Sequence, residues 1–427
     1  MSEGQPARAA ALDVLSQVLR KRRPLDAALD KARSLPPRDA GFARAIASET
    51  LRRFGQLEAL IRTLVPKTPA PHKSGPTLEI LYAGACELLF LGSAAHAAVD
   101  GANRLAQADN KAVHFKPLIN AVLRRISREG AGLIAEQDAA RLNTPDWLWL
   151  RWNDAYGEDG AHAIAEAHGR QPPLDIVLKA ADTGAALEGE TLFGNVVRLS
   201  DPSRVDALPG FAEGEWWVQD AAATLPARLL GDVRGKRVLD LCAAPGGKTM
   251  QLAAMGGIVT AVEREGERLE RIRENLARTR LDATLVQSDV RDFHPEAPAP
   301  FVLLDAPCTA TGTIRRHPEL PWIKSASDVT LCERAASELF DAAADMVAPD
   351  GVLVYAVCSL EPEEGVEQVG AFLARNARFV RESVKADEVF GHAEWISAEG
   401  DLRTLPFHLD GKGGMDGFYA ARLRRVS

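Results

Sequence analysis

The chain has 427 residues and a formal net charge of −8, with 46% hydrophobic and 26% charged side chains, a composition ordinary for a globular protein with room for two or three domains. No apolar run approaches the roughly 20 residues that cross a bilayer, and the opening MSEGQPARAA lacks the layout of a secretory signal, so a cytoplasmic location without membrane association is expected. Five cysteines with no C-x-x-C pair exclude a disulfide framework and speak against zinc, so no metal is expected.

The first stretch reads as helices. Leu12, Leu15, Val18 and Leu19 recur at helical spacing, as do Phe42 and Ile46, then Leu57, Leu60, Ile61 and Leu64. Leu78–Leu91 is apolar enough for a central helix, and KPLINAVLRRI (Lys116–Ile126) is a further amphipathic one. Four prolines in Pro66–Pro76 predict a loop between them. Residues 1–130 are therefore expected to form an all-helical domain, with Arg20–Arg23 and Arg124–Arg128 as basic patches. Met1–Pro66 holds twelve basic against seven acidic side chains, although the whole chain is acidic. This local excess fits a nucleic-acid partner or an ordinary solvated helix surface equally well.

After about Glu129 the texture changes. Trp147, Trp149, Trp152, Trp216 and Trp217 bracket short β-like runs at Ile176–Leu178, Val196–Leu199 and Trp216–Val218, which predict a linker and small α+β insert over 131–225. From there to 427 the pattern is regular. RVLDLC (Arg237–Cys242), IVTAVE (Ile258–Glu263), TLVQSD (Thr284–Asp289), FVLLD (Phe301–Asp305) and GVLVYAV (Gly351–Val357) are β-rich runs. Helical segments at Thr249–Met255, Glu265–Arg278 and Asp328–Val347 separate most of them. Such alternation predicts an α/β Rossmann-like domain whose parallel sheet binds ligands beyond the carboxyl ends of its strands. Asp240, Glu263, Asp289, Asp305 and Ser359 all cluster there.

The first of these strands runs into DLCAAPGGKT (Asp240–Thr249). Two glycines and two alanines at a strand-to-helix turn let a ligand approach the backbone. A polyphosphate loop of the Walker kind needs a glycine where Cys242 stands, and the dinucleotide G-x-G-x-x-G is absent. Glu263, sixteen residues past Gly247, can accept both hydroxyls of a ribose, and Asp289 can accept from an adenine amine. Turn and acids together outline an adenosine-shaped site.

Two thiols fall on the same sheet edge, in Asp305-Ala306-Pro307-Cys308 and Val357-Cys358-Ser359. Cys86, Cys242 and Cys332 read as structural. A thiolate is the nucleophile needed to methylate carbon 5 of cytosine, because addition to carbon 6 makes carbon 5 enamine-like. The later loss of the carbon 5 proton and of the thiol calls for a base or second thiol. A carboxyl such as Asp305 can bond the ring nitrogen and amine. Chemistry alone leaves the roles of Cys308 and Cys358 interchangeable.

DLCAAPGGKT, LLDAPCTATGTIRRHPELPW (Leu303–Trp322) and LVYAVCSLEPEE (Leu353–Glu364) resemble the RNA cytosine-5 methyltransferases, most closely the bacterial RsmB type. The likeness extends over nearly the whole chain: NAVLRR (Asn120–Arg125) resembles part of that family's NusB-like domain, TPDWLWLRW (Thr144–Trp152) and LPGFAEGEWWVQD (Leu208–Asp220) its linker and insert, and DGFYAARLRR (Asp416–Arg425) its closing strand. The resemblance implies S-adenosylmethionine as donor and small-subunit ribosomal RNA as substrate. It implies that Cys242, Ala243, Ala244, Pro245, Gly246, Gly247 and Lys248 line the methionine and ribose, with Glu263 on the ribose hydroxyls and Asp289 at the adenine. Asp305 would stand between cofactor and base, Cys358 would be the nucleophile, and Cys308 would assist release. The chain departs from the family pattern at Val357, usually threonine, at Glu263, usually aspartate, and at Ile176–Lys179, which lacks an Arg-x-Asn pattern.

A stacked cytosine cannot offer carbon 6 to a thiolate, so an unstacked or flipped base is expected. Arg315, Arg316 and His317, just past Cys308, are expected to meet flanking phosphates, with Arg124 and Arg125 as further RNA contacts. The rival readings are the same chemistry on transfer RNA or DNA, or a non-catalytic RNA-binding assembly factor. Two thiols at one sheet edge speak against the last. No obligate protein partner is expected.

Overall fold

The alternation of apolar and polar residues resolves into the expected elements. The computed structural model describes residues 4–180, 187–200 and 204–426; the parts of the expected insert at 181–186 and 201–203 lie outside the described residues. Two compact units emerge, one of residues 1–170 with 314–325, the other of 171–313 with 326–427.

The first unit is helical. Gln5–Lys21, Pro37–Arg52, Phe54–Leu64, Thr77–Leu89, Ala95–Ala108 and Lys116–Ala135 are its main early helices. Their apolar stripes meet in a core of Leu57, Leu60, Ile61, Ile80, Leu81, Cys86, Ile119, Leu123 and Ile126, the burial that makes such helices stable at all. The loop expected over Pro66–Pro76 contains one helical turn, Pro71–Ser74, with its proline at the start, where no backbone N–H is needed. The expected domain boundary near residue 130 falls inside Lys116–Ala135. Trp147, Trp149 and Trp152 lie on a further helix, Asp146–His168, in the same unit.

Residues 314–325 complete this unit from far along the chain. Trp322 donates its indole N–H to the Leu51 carbonyl at 2.9 Å and meets Phe54 edge-on at 4.9 Å. Arg52 donates to the Arg315 carbonyl at 2.7 Å, and Trp147 to that of Pro321 at 3.3 Å.

Among the described residues the second unit holds two sheets. A small antiparallel sheet is built from β1 (Leu174–Leu178), β2 (Gly189–Phe193), β3 (Val196–Leu199) and β4 (Trp216–Val218), in the order β2-β3-β1-β4. The large sheet contains β5 (Arg237–Leu241), β6 (Ile258–Glu263), β7 (Thr284–Gln287), β8 (Ala299–Asp305), β9 (Val347–Val357), β10 (Phe379–Arg381), β11 (Leu402–Thr404) and β12 (Phe418–Arg425). Its order is β10-β12-β9-β8-β5-β6-β7, with β11 pairing β12. The five strands β5–β9 run parallel; β12 is antiparallel to β9 and to both β10 and β11. The central strands are buried on both faces, which explains their unbroken apolar runs. Val177, Phe193, Val196 and Trp217 of the small sheet share one core with Leu230, Val238, Met250 and Ile272. Asp220 pins the two parts, accepting from the Ala222 and Asp416 backbone N–H groups at 2.9 and 3.0 Å.

Candidate active site

The site is a product of sheet register. β8 and β9 are adjacent and parallel, with Asp305 paired to Ala356. Two residues past Ala356 comes Cys358, and three past Asp305 comes Cys308. Parallel neighbours deliver both thiols to one edge, and their sulfurs lie 3.6 Å apart although 50 residues separate them in sequence. Both side chains are partly exposed. The hydrogen bond with Cys358, together with burial, pushes the Cys308 thiol well above its ordinary pKa.

The turn after β5 lies beside them on the sheet. Gly246 adopts φ 100°, a left-handed conformation that favours glycine, and caps the helix Gly247–Ala254. The first backbone N–H groups of such a helix have no intrahelical partner, and no side chain of the N-cap residue bonds to them. Lys248, nearly buried, places its Nζ 2.7 Å from Asp305 Oδ2 and 4.9 Å from the centre of the Phe418 ring. Burial opposes the ammonium, but Asp305 outweighs it and the Lys248 pKa is raised, with Cys358 also contributing. Below the turn, Asp240 is fully buried and accepts from the Thr249 hydroxyl at 2.5 Å, while its Oδ1 has no hydrogen-bond partner among the described residues. Burial lifts its pKa to about 7.

Glu263 closes β6 at 3% exposure. It accepts from the backbone N–H of Ala244 at 3.3 Å and of Glu265 at 3.0 Å. Two such bonds fix the carboxylate and leave lone pairs for two further donors, so the residue present fits a ribose diol. Asp289 follows β7 and is gripped by both ends of the Arg291 guanidinium at 2.9 and 2.8 Å, which holds its carboxyl down at about 2. It stays ionised under all ordinary conditions and remains an acceptor. The narrow glycine turn, the fixed diol acceptor and the second acid suit an adenosine-bearing ligand without a polyphosphate.

The structure thus brings together Cys242–Lys248, Glu263, Asp289, Asp305, Cys308 and Cys358 along one edge of one unit. Arg315, Arg316, Arg124 and Arg125 belong to the other. Arg124 and Arg125 are exposed on Lys116–Ala135, Arg125 ion-paired to Glu129 at 2.8 Å. Arg316 is exposed as expected of a phosphate contact, but Arg315 is 1% exposed. The expectation for Arg315 is corrected: its side chain is withdrawn from solvent in the segment that completes the helical unit, and it cannot present a guanidinium to RNA from there. Sequence reasoning assigned no role to Glu364. It is fully buried between the two cysteine loops, and its acidic run after Cys358 reads in sequence as a solvated turn.

Fold and site together define an S-adenosylmethionine-dependent methyltransferase. The chain belongs to the RsmB/F family of ribosomal RNA methyltransferases. The family model described as 16S rRNA methyltransferase RsmB/F matches residues 227–424, and that of the NusB family matches residues 5–128. The chain is 36% identical to ribosomal RNA small subunit methyltransferase B of Vibrio vulnificus, over 97% of this chain and 98% of the relative. It is also 36% identical to the protein of the same name from Pseudomonas putida, over 94% of each. Among solved structures, PH0851 superposes with a TM-score of 0.74 at 21% identity, covering 98% of this chain and 99% of that one. NSun6 from Pyrococcus horikoshii superposes with a TM-score of 0.53 at 20% identity, covering 66% and 98%. These two likenesses concern the fold.

Proposed function

We propose that the chain methylates carbon 5 of an unstacked cytosine in small-subunit ribosomal RNA in the cytoplasm, with Cys358 as nucleophile and Cys308 assisting release. The observation that carries the reading is the pair of sulfurs 3.6 Å apart beside the Lys248–Asp305 ion pair. Bound S-adenosylmethionine supplies a methyl group on a positively charged sulfur. Cys242–Lys248 and Glu263 hold the donor, with Asp289 at its adenine end.

Cys358 must act as a thiolate, and the Lys248 ammonium lies within electrostatic reach of it. Its sulfur bonds carbon 6 while the ring's double-bond electrons shift so that carbon 5 can take the methyl group. Asp305, steadied by Lys248, accepts from the cytosine amine or protonated ring nitrogen and offsets charge that develops there. Transfer of the carbon 5 proton to a water molecule acting as base restores the double bond and expels the Cys358 thiolate. Cys308 retains its proton readily, and its sulfur is placed to exchange one with the leaving group or the substrate. Arg316, Arg124 and Arg125 are proposed phosphate contacts, within a helical region proposed to bind RNA.

Incubation with methyl-labelled S-adenosylmethionine and small-subunit RNA should label 5-methylcytosine. Cys358→Ala should abolish turnover and covalent RNA capture, whereas Cys308→Ala should let a protein–RNA adduct accumulate as a shifted gel band. An adduct formed by Cys358→Ala, with normal turnover by Cys308→Ala, would reverse the assigned roles. Absence of label from cytosine would remove the enzymatic reading.

A further inference from the structure

Glu364 touches neither sulfur, yet it holds the residue that follows each. Its Oε1 accepts from the Thr309 backbone N–H at 2.8 Å. Its Oε2 accepts from the Thr309 hydroxyl at 2.5 Å and from the Ser359 hydroxyl. Thr309 follows Cys308 and Ser359 follows Cys358. All three residues are fully buried.

The surroundings extend the same link. Ser359 Oγ accepts from the Glu361 backbone N–H at 3.1 Å, and Thr311 Oγ1 from that of Leu360 at 3.0 Å. Gly312 donates its N–H to the Cys358 carbonyl at 3.0 Å. Behind the carboxylate, Tyr355 on β9 donates to the Glu364 carbonyl at 2.7 Å. A buried carboxylate is costly unless its acceptor sites are filled. Here they are filled by groups from the two loops whose relative position sets the distance between the sulfurs.

We propose that Glu364 is a positioning residue, a clamp whose carboxylate ties Thr309 to Ser359 and so holds Cys308 in hydrogen-bonding range of Cys358. The inference rests on the proposed use of both thiols in one reaction. Its role is mechanical: no bond to Glu364 changes, and its effect passes through the Cys308–Cys358 contact.

Ser359→Ala cuts one arm and Thr309→Val removes the hydroxyl bond of the other, leaving its backbone N–H bond in place, both without altering charge. Each is expected to lower kcat on the order of tenfold to a hundredfold, leaving the KM for S-adenosylmethionine within about twofold. Each is also expected to move the pH midpoint for alkylation of Cys358 by iodoacetamide upward, because a thiolate that loses a hydrogen-bond donor is less stable. Thr309→Ser retains the hydroxyl and should behave as the parent protein. In a Cys308→Ala background, neither arm's removal should move the midpoint further. Unchanged kcat and midpoint in both single variants would overturn the clamp. So would a midpoint shift that persists in full without Cys308, since it would show general loosening of the loops. The alkylation readout needs no RNA, so the clamp can stand when labelling of cytosine fails, and fall when labelling succeeds.

Discussion

Asp240 shows how the environment of one side chain becomes a measurable property of the whole protein. Its carboxyl, fully buried with a pKa near 7, binds a proton in the folded state that the unfolded chain releases at about pH 3.9. Between those values the folded state holds more protons, so this group's contribution to stability is present below about pH 4 and lost as pH rises toward 7. Asp240→Asn is expected to flatten that part of the stability curve, by on the order of 1–3 kcal/mol, in urea titrations at pH 5 and pH 8; a parallel loss at both would contradict the assignment. Lys248 offers a second test. Lys248→Met leaves the half-buried Asp305 without its counter-ion and should reduce methyl incorporation at least tenfold, with Lys248→Arg recovering part of it. Residues of this kind are uneven in their legibility. Cys308 and Cys358 stand out because each ends a β-rich run, and a thiol at a ligand edge is chemically unusual. Arg315 misleads because a basic pair after a catalytic motif reads as solvated, whereas its side chain is buried and its backbone carbonyl is held by Arg52, 263 residues earlier. Glu364 is silent because its partners are a neighbouring serine hydroxyl and the hydroxyl and backbone N–H of a threonine fifty-five positions away.

Among elements, β5 to β9 announce themselves by continuous Val, Leu and Ile runs, since a parallel sheet covered on both faces demands them. The short strands β2, β10 and β11 do not. With three to five residues each, they carry too little periodicity to separate from loop, and their pairing comes from longer neighbours. The loop after β8 is set by close backbone approach. A Cβ placed on Gly312 would stand 2.0 Å from the Gly417 carbonyl oxygen, and Gly417 donates its N–H to the Gly312 carbonyl at 2.8 Å. Backbone on both sides leaves nothing flexible to yield. Gly312→Ala is therefore expected to displace the loop bearing Cys308, lowering stability by about 2 kcal/mol or more and turnover more steeply still. Chemical denaturation and a methyl-transfer assay on the same preparation check both parts.

The division of the whole chain is less simple than a helical domain followed by a catalytic one. Residues 314–325 sit with the helices, contributing the buried Leu320, Pro321 and Ile323 and the Trp322 ring against Phe54. A protein lacking residues 1–170 is expected to expose this apolar segment and to aggregate, as measured by light scattering. Replacing Ile314, Leu320, Trp322 and Ile323 by polar residues in the shortened protein should restore a monodisperse species. Monodispersity without those replacements would show that the segment is covered some other way.

That interleaving also bears on synthesis. The helices through residue 170 leave the ribosome well before the strand-end segment that finishes their core, with 143 positions, 171–313, lying between. At a translation rate of roughly 5–20 residues per second, the gap lasts on the order of 7–30 s. Throughout it, Leu51 and Phe54 lack the indole that caps them in the finished molecule. The nascent bundle must therefore persist unfinished, and a polypeptide with the order of its two halves exchanged would mature on a different clock.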